Sequence, residues 1–176
     1  MATSTPNPDA AGAPAAPTPR RETLRTISEQ IAALDEMIGL AKHTIRVFDI
    51  DLSGTGWNSV ERAAKIAAFL RARRSATLQI IVHDTRWIES SCPRLIGMLR
   101  HYGHAIAIYR TGPDASAVLD PMAIVDDRHL LHRFHIEQAD AELAIEQPRV
   151  TRPFVERFEE IWASGEPGLS ATVLGL

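Results

Sequence analysis

Met122-Ala-Ile-Val-Asp-Asp-Arg-His-Leu-Leu-His-Arg-Phe-His135 is the stretch that decides how this chain folds. An apolar tetrad runs into two aspartates, and a second apolar-centred run follows with no room for a helix between them. Met122–Val125 and Leu130–Phe134 are therefore expected to pair as antiparallel strands, with Glu142–Ile145 continuing the meander. The stretch also holds three of the protein's seven histidines within seven residues. Polar side chains crowded at strand ends need a hydrogen bond, a charge or solvent. A functional site is expected here.

Upstream of this stretch the pattern differs. Leu24, Ile27, Ile31, Leu34, Ile38 and Leu40 recur at helical spacing and predict an amphipathic helix to about Lys42. Thr44–Ile50 (TIRVFDI) predicts a strand, and Ser53-Gly54-Thr55-Gly56 a loop. Asn58 with Glu61 forms a capping-box pattern opening a helix to about Arg73. Thr77–Val82 is a second strand, Pro93–Tyr102 a helix closed by Gly103, and Ala105–Tyr109 a third strand. This alternation implies parallel strands joined by crossover helices. A last helix, Pro153 to Trp162, is expected to bury Phe154, Phe158, Ile161 and Trp162. The fold class is therefore α/β, with a mixed sheet whose first three strands are parallel and whose later strands form an antiparallel meander, flanked by helices.

Length and composition bound the rest. The 176 residues suit one domain with a proper core. Residues 1–20 carry five prolines and six alanines without apolar periodicity, so residues 1–21 are expected to be a disordered tail. The domain then covers 22–165, and 166–176 form a C-terminal extension. A formal net charge of -3 gives no strong signal for nucleic acid. No apolar run approaches the length of a membrane span, and no signal peptide is evident. Cys92 is the single cysteine, which excludes an intramolecular disulfide and fits a cytoplasmic location.

The order of elements resembles one half of a phospholipase D-like domain over roughly residues 24–163. The opening ISEQIAALDEMIGLAKHTIRVFDI is similar to that family's entry helix and strand. MAIVDDRHLLHRFH followed by AELAI resembles its signature region, and FVERFEEIW its final helix. The chain also resembles an uncharacterised bacterial domain family of this superfamily. In the family a His-x-Lys-(four residues)-Asp motif leads into a Gly-Ser-x-Asn turn and then an acidic residue. The histidine forms a covalent phospho-enzyme intermediate and the lysine stabilises phosphate charge.

This chain departs from that motif. Aligning Asp126 with the motif aspartate places Leu119 at the histidine and Pro121 at the lysine; aligning Asp127 places Asp120 and Met122 there. Lys42 and Lys65 are the only lysines. Without an activated nucleophile the covalent route is gone. The same alignment sets His132-Arg133-Phe134-His135 in place of Gly-Ser-x-Asn and Glu142 near the acidic position. The resemblance also implies two halves facing each other, here as a homodimer.

For the histidine cluster three readings stand: satisfied structural histidines, an anion pocket centred on Arg133, or a metal site using Asp126 or Asp127. Regular strand geometry puts Arg133 on one face with His129, Leu131 and His135, and His132 on the other, against a three-histidine metal site. VFDIDLSGT is similar to the first motif of haloacid dehalogenase-type phosphatases, but the threonine slips, His83 replaces the hydroxyl after the next strand, and the lysine has no counterpart. His83 and Asp49 nonetheless lie at the carboxyl ends of parallel strands, where such sheets bind ligands. The expected function is a non-catalytic domain binding a small anionic or phosphate-containing ligand or a partner, through His132, Arg133, His135, Glu142, Asp126, His83 and Asp49, with no metal and no cofactor. The alternative is a phosphodiesterase or phosphatase with a rebuilt histidine- or metal-based site.

Overall fold

The computed structural model describes residues 17–170; residues 1–16 of the expected tail and 171–176 of the expected extension lie outside the described residues. Among these, β1 (Arg20–Leu24), α1 (Ile27–Leu40), β2 (Thr44–Asp49), α2 (Val60–Ala72), β3 (Thr77–Val82), α3 (Arg86–Ser91), α4 (Pro93–His101) and β4 (Ile106–Arg110) follow in order. A 3-10 turn at Pro113–Ala115, then β5 (Met122–Val125), β6 (His129–Arg133), β7 (Ala141–Ile145), α5 (Pro148–Ala163) and β8 (Glu166–Leu169) complete the chain. One eight-stranded sheet has the order β1-β7-β6-β5-β2-β3-β4-β8. β2, β3 and β4 are parallel, and β5, β6 and β7 form the antiparallel meander. The mixed α/β architecture read from the sequence is the one present.

Side-chain alternation sends each strand's residues to two cores. Ile45, Val47, Leu78, Ile80, Ile108, Val125, Leu131 and Leu143 pack beneath α1, α2 and α4. Phe48, Ile81, Met122, Ile124, Leu130 and Ala144 pack against Phe158 and Ile161 of α5. Phe158 is fully buried, and its truncation to alanine would cost roughly 3–5 kcal/mol.

The boundaries differ from the sequence reading where local pattern is weak. Arg20 and Arg21, assigned above to the tail, belong to β1, which pairs with β7. This strand buries only Leu24 and pairs its charges through Arg20–Glu36 and Arg21–Glu142, so no apolar alternation marks it. Glu166–Leu169, assigned to the extension, form edge strand β8, where Pro167 and Gly168 hide the strand pattern. Ser59, not Asn58, caps α2 by accepting from the Arg62 amide at 3.1 Å. Asn58 instead accepts from the Arg94 amide in the first turn of α4. α5 starts at Pro148 rather than Pro153. Pro148 fills the first-turn position, and Pro153 forgoes a single bond to the carbonyl of residue 149.

The β5–β6 connection explains its aspartates. Asp126 and Asp127 both have positive φ (52° and 57°), and the Arg128 amide bonds the Val125 carbonyl at 3.2 Å. That is a type I′ turn, a left-handed geometry that aspartate tolerates better than most residues. The Asp126 carboxylate then accepts from the amides of Lys42, His43 and Thr44 at 2.7, 2.7 and 2.9 Å, pinning the start of β2. We expect Asp126→Ala to destabilise the fold by roughly 2–3 kcal/mol in urea unfolding, because three amides lose a charged acceptor, with Asp126→Asn costing less. Unchanged stability in both variants would remove this role.

Candidate functional site

β2 is the strand at which the sheet changes direction, with parallel β3 on one side and antiparallel β5 on the other. Its carboxyl end therefore meets the amino end of β5 and the carboxyl end of β6. Phe48 is level with Met122, Met122 with His132, and the Arg133 amide bonds the Pro121 carbonyl at 2.9 Å. One rung further, Asp49, Pro121 and Arg133 stand side by side on the α1 face. They line a cavity of about 30 Å3 with Gln30, Thr55 and Trp57 among its other walls.

Each wall residue is held. The buried Gln30 of α1 donates through Nε2 to the Ala139 carbonyl at 2.7 Å. Thr55 and Trp57 lie on the β2–α2 loop, where Leu52 (φ 69°) and Gly56 (φ 73°) adopt left-handed backbone. Gly56 suits that turn because its conformation carries no side-chain penalty. Arg133 donates from Nε to the Gln138 carbonyl at 2.6 Å. Neither of its Nη nitrogens has a hydrogen-bond partner among the described residues. The cavity would hold one or two oxygen-sized groups.

Asp49 is 8% exposed. Its Oδ1 accepts from the Ile50 amide at 2.6 Å, and the Thr55 hydroxyl approaches Oδ2 at 3.4 Å. Burial pushes its carboxyl up to about 6, aided by the charge of Asp51 and opposed by the Ile50 amide and by Arg133. Asp51 itself turns away to Ser53, accepting from its amide at 2.9 Å and its hydroxyl at 2.7 Å.

The other candidates from the sequence do not join Asp49 and Arg133. Asp126 lies at the opposite end of β2, about 17 Å away by strand rise. His132 points to the α5 face, where Nε2 meets Asp120 at 3.0 Å, Arg157 holds the same carboxylate at 2.7 Å, and Phe154 packs on the ring. His83 lies on that face too. Its Nε2 must donate to the Val118 carbonyl (2.7 Å), and Nδ1 bonds the Thr111 hydroxyl (2.6 Å). Glu142 pairs with Arg21, and His135 sits in the β6–β7 loop, its Nδ1 taking the Glu137 amide at 3.2 Å. The buried His129 accepts from the Glu146 amide at Nδ1 (3.1 Å), its Nε2 lies 3.3 Å from the Glu146 carboxylate, and burial lowers its pKa. Cys92 is buried between α3 and α4, and burial raises its thiol pKa. Among the described residues no three His, Cys, Asp or Glu side chains gather around a common point for a metal.

Sequence reasoning missed Gln30, Thr55 and Trp57 as site residues. Gln30 left a trace: it interrupts the buried stripe of α1 formed by Ala33, Leu34, Met37 and Ile38. Trp57 left none that separates a cavity wall from a core residue.

The fold is that of the phospholipase D superfamily. The chain is similar to Nuc, a phospholipase D family member from Salmonella typhimurium, at 16% identity and TM-score 0.59, covering 87% of this chain and 100% of that one. NucT from Helicobacter pylori aligns at 14% identity and TM-score 0.57 over 86% of this chain and 100% of NucT. TrmBL2, an archaeal chromatin protein that binds DNA, aligns at 18% identity and TM-score 0.61 over 85% of this chain, which spans about half (54%) of TrmBL2. No curated protein matches by sequence. Residues 26–171 match the model of a domain of unknown function, DUF7931, and the chain belongs to that family.

Asp49 supplies a test of the site's electrostatics. Its folded-state carboxyl titrates near 6, whereas an unfolded one titrates near about 3.9. The native state thus binds this proton more tightly. The stabilisation is full below about pH 4, declines as pH rises to about 6, and is then absent, a change of roughly 3 kcal/mol. Asp49→Asn is expected to raise stability at pH 7.5 by roughly 1–3 kcal/mol and to change it little at pH 4, read from urea unfolding at both values. A variant that destabilises equally at both pH values contradicts this.

Proposed function

We propose that this chain is a phospholipase D-like domain lacking the superfamily's His-x-Lys chemistry, and that it binds a small oxyanion-bearing ligand at Arg133. The position of Arg133 carries this reading. Its side chain walls a cavity at the strand ends, and its free Nη pair can fork onto a carboxylate or phosphoryl group. Pro121, where the resemblance asks for the lysine, lines the same cavity. A proline offers no cation and Leu119 no nucleophile, so hydrolysis through a phospho-enzyme has no starting atom. Sulfate titration followed by calorimetry is expected to show binding that weakens at least tenfold in Arg133→Ala, with no turnover of bis-(p-nitrophenyl) phosphate or p-nitrophenyl phosphate. Unchanged binding in Arg133→Ala, or turnover that disappears in His132→Ala or His135→Ala, would overturn it.

The rival enzyme reading draws support from Asp49 alone, since a buried carboxyl near pH 6 is suited to proton transfer. His83, His132 and His135, which its histidine version needs, engage separate partners on different elements.

The reading includes a homodimer in a cytosolic setting. No helix among the described residues is long and apolar enough to cross a membrane. Phe134 (47% exposed) follows Arg133, Leu119 (39% exposed) lies two residues before Pro121, and the Ile136 amide ties their segments through the Leu119 carbonyl at 2.8 Å. Exposed apolar side chains of this kind suit burial against a second copy. Sedimentation at micromolar concentration should give a dimer that Phe134→Glu dissociates; a wild-type monomer at several hundred micromolar would exclude it.

A further inference from the structure

The anion-binding reading leaves a conflict unresolved, and the following inference rests on that reading. Asp49 shares the cavity that an anion would enter, and an ionised carboxylate has no donor to offer a ligand oxygen. We propose that the Asp49–Trp57–Arg133 cavity takes up an oxyanion and a proton together, so that a carboxylate or phosphoryl group enters only when Asp49 is the neutral acid.

The donor set of the cavity points this way. Trp57 is 1% exposed, and its Nε1–H has no hydrogen-bond partner among the described residues. Buried indole N–H groups ordinarily find an acceptor, so this one is a donor suited to a ligand oxygen. Arg133 adds its Nη pair. With Asp49 protonated, its hydroxyl becomes a further donor; with Asp49 ionised, the same wall repels the ligand. The volume of about 30 Å3 admits one or two oxygens, which restricts the bound part to the edge of an oxyanion.

The charged groups around Asp49 keep its proton exchangeable. Asp51 follows it on the same loop and opposes ionisation, while Arg133 on β6 favours it. Arg62 of α2 stands 5.4 Å behind the Trp57 ring, with its charge met by Asp35 of α1. Gln30, Thr55 and Trp57 are neutral. The net result is a carboxyl titrating near 6, within reach of ordinary pH changes.

Sulfate, standing for a phosphoryl group, and formate, standing for a carboxylate, test this on the full chain by calorimetry, since neither titrates between pH 5 and 8. Affinity is expected to be nearly constant below about pH 5.5 and to weaken tenfold per pH unit above 6, reaching about 100-fold at pH 8, as the competent fraction falls. At pH 8, buffers of different ionisation heat should report one proton taken up per anion, and at about pH 5 almost none. Asp49→Asn should bind with little pH dependence, and the Trp57 indole N–H resonance should shift on binding. The tighter of the two probes identifies the ligand chemistry. Arg133-dependent binding of equal affinity at pH 5.5 and 8, or a slope that persists in Asp49→Asn, would overturn proton coupling while leaving anion binding intact. No binding of either probe by wild type or by Asp49→Asn would overturn both.

Discussion

A single guanidinium organises the half of the molecule that carries the site. Arg62 on α2 is fully buried and donates to Asp35 at 2.8 Å, to the Ile31 carbonyl at 3.1 Å and to the Thr55 carbonyl, while stacking over Trp57. It thereby joins α1, α2 and the β2–α2 loop at one point. Arginine suits the position because its planar fork satisfies several acceptors in different directions, which a lysine ammonium does not do with fixed geometry. Removing it would strand Asp35 and two carbonyls, a loss on the order of 3 kcal/mol given that Asp35 keeps some solvent. The left-handed residues Leu52 and Gly56 belong to the same loop. Its conformation is held by tertiary bonds more than by local preference.

The site follows from two constraints meeting. Strand alternation separates the polar residues of the β5–β6 region onto opposite faces, so His132 and Arg133 serve different surroundings despite being adjacent. The reversal of direction at β2 then brings Asp49, Pro121 and Arg133 onto one rung. A strand end enclosed by α1 and the Arg62-tethered loop is dry enough to raise a carboxyl's pKa, yet it keeps a cation opposite. Such a pairing within a small cavity is the pattern on which the proposed binding site rests.

Much of the architecture was legible because its signals are local. Thr77–Val82 and Met122–Val125 match their predicted spans, since each apolar run is bounded by polar or turn residues. β1, β8 and α3 were not legible: the first two are charged or proline-containing edge strands defined by their neighbours, and α3 is only six residues long. Of the seven site candidates, Asp49 and Arg133 share the cavity. Asp126, one of those candidates, does structural work at the far end of β2, because its I′ turn and its amide bonds need the same residue type that a site would. Gln30, Thr55 and Trp57 come from helix and loop segments remote in sequence, and only the packing set by Arg62 brings them together.

The central claim is that the oxyanion seat of this domain is the cavity between Asp49 and Arg133. A crystal structure grown in sulfate at about pH 5.5 tests it most directly. A sulfate is expected whose oxygens contact the Arg133 Nη nitrogens and the Trp57 Nε1, with an Asp49 oxygen within hydrogen-bond distance. Sulfate bound instead at His132 and Arg157, with the Asp49 cavity filled by side chains or by water alone, would contradict it.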